Sequence, residues 1–460
     1  MKKYYFFLFI GFLLSAQDHH VHTPWNLDGA KQRIDSIRKG NALIEFELNG
    51  QKFTGKTGHI QLDLDRHEFK FGVSMTQSRS FAQADQSFSS HDFVHYKQRV
   101  AELFNFTTVG FYWTIFDEQR NLSFPKKYIR HVLDWANENR IEVKGHPLMW
   151  HESLPKWVAA LEDTEKVDKL IFRRIRTLLE SYPSIQYWDV YNEPVAVFKD
   201  HVTPNGVTRW VADKGGIYPA MKSLYSFVNG IDSTKVYTNN HYNPKSDTFF
   251  EINKHFVENN VQYSAIGMQA HMQTHDGVLD EQTLWDMMDR YATLGKDIQF
   301  TELTVTSSKR FKDWREHQVF LAKKAEARKR GENLTLPSLS EYEDYQAAYV
   351  KDFYTLVFSH PQVTSITFWN LSDKNAWRGH AGGLLDKNMA PKKAYNTLKR
   401  LIKQTWHTAI DASVNLEEAF SFSGFYGSYT GTLSVDGKSY PISFDHKKGN
   451  SETVVIPLSE

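Results

Sequence analysis

From residue 69 onward, short runs of apolar and β-branched residues alternate with longer stretches whose apolar side chains recur every third or fourth position. The first pattern suits buried strands, and the second suits helices with one apolar face. Eight strand-like runs are read, at 69–75, 104–111, 142–149, 185–193, 235–241, 263–271, 297–303 and 363–371. Amphipathic segments at 93–103, 128–139, 165–181 and 284–294 lie between them. Regular strand–helix alternation predicts a parallel sheet covered by helices. Eight such units make the fold class α/β, a (β/α)8 TIM barrel enlarged by loop insertions.

The pattern changes at both ends. Residues 42–48, followed by Asn49-Gly50, read as a strand entering a hairpin, and 58–65 as another strand. From about Trp406 the chain alternates without helices, at 420–425, 431–437 and 453–456. The predicted organisation is an export signal at 1–16, an N-terminal β-rich segment at 17–67, a barrel at 68–404 and a small C-terminal β-module at 405–460. Because a few short strands bury little area, the two terminal pieces are expected to pack together or against the barrel.

The signal is read from Met1-Lys2-Lys3, an apolar run at 4–14 too short to span a bilayer, and the small residues Ser15 and Ala16. It predicts a secreted or periplasmic protein of bacterial type. The 460 residues carry a net charge of only +1, which gives no global attraction to nucleic acid or acidic membranes. Cysteine is absent, which removes disulfides, thiolate metal sites and a Cys nucleophile. No metal or other cofactor is expected, no membrane span, and a monomer. Aromatics reach 14% of residues, enough to fill a core and still leave flat faces for stacking on a ligand.

Two carboxylates stand in matched settings. Glu193 closes the run Trp188-Asp189-Val190-Tyr191-Asn192-Glu193, and Glu302 closes Phe300-Thr301-Glu302. Both fall at the carboxyl ends of predicted strands, where a barrel of this kind keeps its catalytic groups. Two acids facing one cleft are what glycoside hydrolysis requires, one to protonate the leaving oxygen and one to meet the oxocarbenium-like carbon.

These segments resemble the retaining endo-β-1,4-xylanases of glycoside hydrolase family 10, over about residues 69–403. The resemblance implies that Glu193 is the general acid/base, Glu302 the nucleophile, and Asn192 a donor to the sugar 2-hydroxyl. It also implies a glycone-side wall of His146, Trp150 and His151 after strand three, and Gln269 and His271 beside the nucleophile. Trp369 and Trp377 after strand eight would be the stacking pair. The expected partner is a polysaccharide or oligosaccharide substrate.

The departures cluster. Where the family has Glu-Asn-x-Met-Lys-Trp after strand two, this chain has Thr108-Val109-Gly110-Phe111-Tyr112-Trp113, and His241 stands where Asp is usual. Tyr112 is therefore expected to block or stack on the second glycone sugar. Plain xylan becomes a doubtful substrate, and an exo-acting or decorated-glycan relative is the alternative. A non-catalytic glycan-binding barrel is the alternative from another class, disfavoured because binding needs neither acid nor nucleophile.

Three weaker features remain. A basic tract at 309–330, after strand seven, reads as a solvated helix, with contact to sulfate or uronate groups as the sharper alternative. Asp18-His19-His20-Val21-His22 reads as a frayed N-terminus rather than a metal site. The C-terminal β-module reads as structural rather than carbohydrate-binding.

Overall fold

The computed structural model describes residues 21–53, 57–84, 88–199, 202–449 and 453–458. The export signal at 1–16 and the residues Asp18, His19 and His20 lie outside the described residues. Among the described residues, no helix is long and apolar enough to cross a membrane.

The barrel strands are β1 (Lys70–Ser74), β2 (Phe106–Gly110), β3 (Glu142–His146), β4 (Tyr187–Asn192), β5 (Val236–His241), β6 (Ala265–Met268), β7 (Asp297–Val305) and β8 (Val363–Phe368). Each pairs in parallel with its neighbours, and β7 pairs with β6 on one side and β8 on the other, so the sheet closes on itself. Six of the eight strands follow a buried-on-both-faces pattern with no exposed position, as expected when helices cover the outside and side chains fill the inside.

Helix boundaries follow local chemistry. Ser90 accepts a hydrogen bond from the Phe93 N–H at the start of helix His91–Leu103, and Asp163 does the same from Lys166 N–H for Thr164–Ser181. Asp313 caps Trp314–Lys329 through the Glu316 N–H. Such caps satisfy N–H groups that the first turn leaves without partners.

The two terminal segments interleave. Lys39–Leu48 lies between Phe420–Phe425 and Val454–Leu458, while Thr57–His67 lies between Ala409–Asn415 and Gly427–Val435, with Lys438–His446 outside it. The central strand of each four-stranded sheet thus comes from the N-terminal segment, and most of the flanking strands from the C-terminal one. At the crossing of Gly431 and Gln61 a Cβ would stand 1.9 Å from the Gln61 carbonyl oxygen, so only glycine lets these strands approach.

This β-unit seals the end of the barrel where the strands begin. Trp406 stacks on Phe71 at 5.8 Å, and Phe358 packs against both Trp406 and Phe425. The Arg38 guanidinium donates to the carbonyl oxygens of Phe358, His360 and Val363, each at 2.8 Å. The opposite end stays open for chemistry.

The expected fraying of the N-terminus does not extend to His22. Its Nε2 meets Asp352 Oδ2 at 2.8 Å, and its ring packs edge-on against Tyr345 and Tyr349 of helix Ser340–Phe358. A buried aromatic niche with a carboxylate at its end fixes the imidazole.

Candidate active site

The carboxyl ends of the strands surround a cleft of about 1260 Å³ lined by Tyr112, His146, Trp150, Asn192, Glu193, Gln269, His271, Glu302, Trp369 and Trp377 among others. Ten of the eleven residues singled out in the sequence therefore share one cavity. His151 does not. It is buried behind the wall, its ring stacked on Tyr191 and its Nδ1 3.2 Å from the Tyr191 hydroxyl, while its neighbour Trp150 takes the cleft position. Trp150 faces the cleft and His151, in the turn that follows, faces away from it, so the Trp-His pair supplies one wall residue rather than two.

Glu193 follows directly on β4 in a left-handed conformation, φ 61°, ψ 50°. A side chain with a Cβ adopts this at a cost of order 1 kcal/mol and needs its surroundings to hold it there. Its N–H donates to the Asn240 carbonyl at 2.8 Å, and its Oε1 accepts from Gln269 Nε2 at 2.8 Å. Ala270 shows the same backbone state, φ 62°, between Gln269 and His271. Both strained turns sit where a strand end must aim side chains into the cleft.

Glu302 lies within β7 and is only 5% exposed. Its Oε1 accepts from Asn240 Nδ2 at 3.0 Å, and its Oε2 stands 3.2 Å from His271 Nε2. His271 is oriented from behind by Thr304 Oγ1 at 2.9 Å, and that hydroxyl in turn donates to the Trp369 carbonyl at 2.6 Å.

A second chain approaches Glu302 from the barrel interior. Lys144 Nζ lies 2.6 Å from Asp189 Oδ1, and His146 Nδ1 lies 2.7 Å from Asp189 Oδ2. The far nitrogen of His146 then faces Glu302 Oε1 at 3.9 Å. Burial opposes charge on His146, but the bond to Asp189 and the fields of Glu302 and Asp189 outweigh it, and its pKa is raised. The imidazole is thereby biased toward the cation.

The same residue type thus meets two environments. Burial lifts Glu193 from the ordinary 4.5 to about 7; the Glu302 charge adds to this, while the Gln269 bond and Arg378 act against it. Glu302 is also pushed up by burial, yet the His271 bond, the His146 and His271 fields and the Asn240 bond prevail and hold it below the ordinary value. At neutral pH the cleft therefore holds one substantially protonated carboxyl and one carboxylate.

Asn240 was not singled out by its type, although it ties the site together. Its Nδ2 reaches both Glu302 and the Oδ1 of Asn192 at 2.9 Å, and its own Oδ1 accepts from Thr301 at 2.6 Å. With Asn192 Oδ1 occupied, the Asn192 Nδ2 is the end left to donate into the cleft. His241, at the position of the second departure, is buried against Tyr242 and Phe249, off the cleft lining, and burial lowers its pKa to about 3.

Tyr112 packs its ring edge-on against His146 at 5.5 Å and near Trp150 at 6.1 Å, and lies over Gly110, where a Cβ would meet the ring at 3.0 Å. Burial raises its pKa well above the usual value, with Glu302, Glu193 and Asp189 adding to the shift. Its hydroxyl therefore stays neutral, close to both carboxylates. Trp369 meets the His146 ring at 5.6 Å and Trp377 the His271 ring at 4.5 Å. Arg378, Trp314, Tyr242 and Glu152 also line the cleft and were not singled out in the sequence.

Comparison with known proteins places this geometry. The chain is 23% identical over 340 residues to endo-1,4-beta-xylanase B of Thermotoga neapolitana, covering 70% of this chain and 88% of that one. It is 22% identical over 446 residues to anti-sigma-I factor RsgI6 of Acetivibrio thermocellus; that alignment covers 93% of this chain and spans about half, 49%, of the relative. Among solved structures, xylanase 10B from Thermotoga petrophila in complex with xylobiose superimposes with a TM-score of 0.56 at 21% identity, over 74% of this chain and 95% of that one. The GH10 structure from Paenibacillus barcinonensis gives 0.55 at 19% identity, over 72% and 94%. At such identities the structural likeness establishes the fold. The sequence model for glycosyl hydrolase family 10 matches residues 67–401, which include all eight barrel strands. The chain belongs to glycosyl hydrolase family 10, and its barrel is that of a xylanase-like glycoside hydrolase.

Proposed function

We propose that the protein is an exported, retaining β-glycoside hydrolase that cleaves a β-linked polysaccharide or oligosaccharide by double displacement. The observation that carries this reading is the opposite shift of two carboxyls in one cleft, Glu193 upward to about 7 and Glu302 downward. In the first step Glu302 attacks the anomeric carbon while the Glu193 carboxyl gives its proton to the departing glycosidic oxygen. In the second, the Glu193 carboxylate takes a proton from water, the hydroxide oxygen bonds to the anomeric carbon, and the Glu302–sugar bond breaks. Asn192 Nδ2 donates to the 2-hydroxyl as positive charge builds at the ring, and His271 and Asn240 keep the Glu302 oxygens in place.

Plain xylan is a poor fit within this reading. Thr108 and Val109 are buried in β2 where the family's xylanases carry a sugar-gripping Glu and Asn, and Tyr112 takes the Lys position beside the carboxylates. A decorated or exo-attacked glycan suits that cleft better. Export rests on the first sixteen residues alone.

The test follows product anomers by NMR in the first minutes of hydrolysis of an activated aryl β-glycoside. The β-anomer is expected first, and initial α-anomer would identify an inverting site. Azide should partly restore Glu193→Ala on the same substrate, giving a β-glycosyl azide; rescue of Glu302→Ala with the same anomer would exchange the two roles. Full activity in both variants would remove Glu193 and Glu302 from the catalytic roles, and absence of cleavage by the wild type would leave a glycan-binding barrel.

A further inference from the structure

Beyond the two carboxylates the cleft runs onto a shelf of cations built by helix Trp314–Lys329 and the loop after β8. The Arg378 guanidinium lies 4.2 Å from the Trp377 ring and 5.0 Å from the Trp314 ring. Stacking on indole fixes the plane of a guanidinium and leaves its N–H edge to bind. Among the described residues, the side-chain bond from that edge is a long one, Nη1 to Gln273 Oε1 at 3.4 Å. Its backbone is left-handed, φ 56°, as befits a side chain held in a demanding position.

Lys324 is the next cation. Its stem lies against Gly379, where a Cβ would stand 3.1 Å from Lys324 Cδ. Among the described residues its ammonium donates to neutral oxygens, Asn333 Oδ1 at 3.1 Å and the Leu334 carbonyl at 2.7 Å. Burial, and then the charge of Arg328 one helical turn on, make Lys324 harder to keep protonated. Glu332, the carboxylate lining this stretch, is engaged by Arg330 through two hydrogen bonds. Among the described residues, Arg378, Lys324 and Arg328 form no ion pair with a carboxylate. Arg378 and Lys324 are partly desolvated and Arg328 stands exposed beside them; Glu193, Glu302 and Glu152 act on Arg378 only through their fields, so the donors of all three cations remain available to an anion.

We propose that this shelf binds an anionic group, a carboxylate or a sulfate ester, carried by the sugar chain in the cleft. It deepens the hydrolase reading, resting on it only for what occupies the cleft. The sharper alternative for the basic tract is thereby preferred: the helix is present, but one face of it is cleft wall rather than solvated surface.

Affinity electrophoresis of the full chain in gels containing neutral linear xylan, glucuronate-branched xylan or a sulfated polysaccharide tests this without needing turnover. At low salt, wild-type protein should bind at least one anionic glycan at least tenfold more tightly than the neutral one, and about 0.5 M NaCl should abolish most of that preference. The carboxylate and sulfate arms identify the group. Lys324→Gln/Arg328→Gln, and separately Arg328→Glu at its exposed helix position, should remove the preference with an unchanged melting temperature. Equal affinity of the wild type for neutral and anionic glycans would overturn the proposal. So would variants that keep the preference. Failure of the hydrolase reading shows elsewhere, as no cleavage of the aryl glycoside or of any of the three glycans, whatever the gels show.

Discussion

A neutral carboxyl kept in a folded cleft makes stability depend on pH in a way one substitution can isolate. Glu193 has a pKa raised from 4.5 to about 7, with burial as the main cause. Below the unfolded value both states hold the proton, and the group costs nothing extra. As pH rises from about 4.5 to about 7 the unfolded chain releases the proton before the folded one does, so folding loses stability through that window. At about 1.4 kcal/mol per pH unit the whole interval amounts to at most roughly 3 kcal/mol. Glu193 is partly open to the cleft, so solvent screening reduces the observable to about 1–3 kcal/mol. Glu193→Gln keeps an oxygen for Gln269 Nε2 and removes the charge. Its stability relative to wild type should be near zero at pH 4 and rise to that figure by pH 8, about 1–4 °C in Tm for a chain of this length.

Glu302 supplies the opposite sign. Burial raises its pKa, but the His271 bond, the His146 and His271 fields and the Asn240 bond lower it further. Its charge therefore stabilises the fold above the unfolded pKa, and this is lost as pH falls through the depressed folded value. Glu302→Gln should be destabilised at pH 7, with the gap closing toward pH 3. Thermal unfolding of the three proteins from pH 3 to 8 reads both trends. A Glu193→Gln gap that stays constant with pH, or two variants that move in the same direction, would refute the assignment of opposite environments.

Three other outcomes follow from the same geometry. The alkaline limb of kcat/KM should fall near pH 7, and Arg378→Gln should move it upward by removing a cation that faces Glu193; a limb below pH 6 or an unmoved limb contradicts this. Lys144→Met leaves the buried Asp189 with His146 alone and should cost about 3–5 kcal/mol by urea unfolding, whereas a cost below about 1 kcal/mol would mean the Lys144–Asp189 pair is not needed for stability. Unsubstituted linear xylan should be turned over with kcat/KM below about 10⁵ M⁻¹s⁻¹, because the hydrogen bonds absent at Thr108, Val109 and Tyr112 are each worth roughly 0.5–3 kcal/mol; a higher value marks the substitutions as neutral.

What could be read from the sequence, and what could not, divides along the range of the interactions. The barrel strands announce themselves because each is a short apolar run of its own, and Glu193 and Glu302 because each ends one. The β-unit at the far end was visible as strands but not as two shared sheets, since pairing Thr57–His67 with Ala409–Asn415 joins segments with the whole barrel between them. No local pattern encodes such a register. Asn240 shows the same limit within the site, for a polar residue at a strand end reads alike whether it bridges two catalytic groups or caps a turn.

The chemistry itself lies at that non-local level. Glu193 and Glu302 are identical side chains following similar β-runs, and nothing within a few residues of either makes one an acid and the other an anion. The difference is delivered from other strands, by Gln269 from after β6 to Glu193, and by His271 from after β6, Asn240 from β5 and His146 from β3 to Glu302. His146 is effective because Asp189, on β4, grips its other nitrogen and Lys144, two residues before it, holds that aspartate. A closed barrel puts all these strand ends around one axis, so residues more than a hundred positions apart set each other's protonation. The Arg378 shelf extends this logic, because its indole walls come from the loops after β7 and β8 and meet only once the barrel has closed.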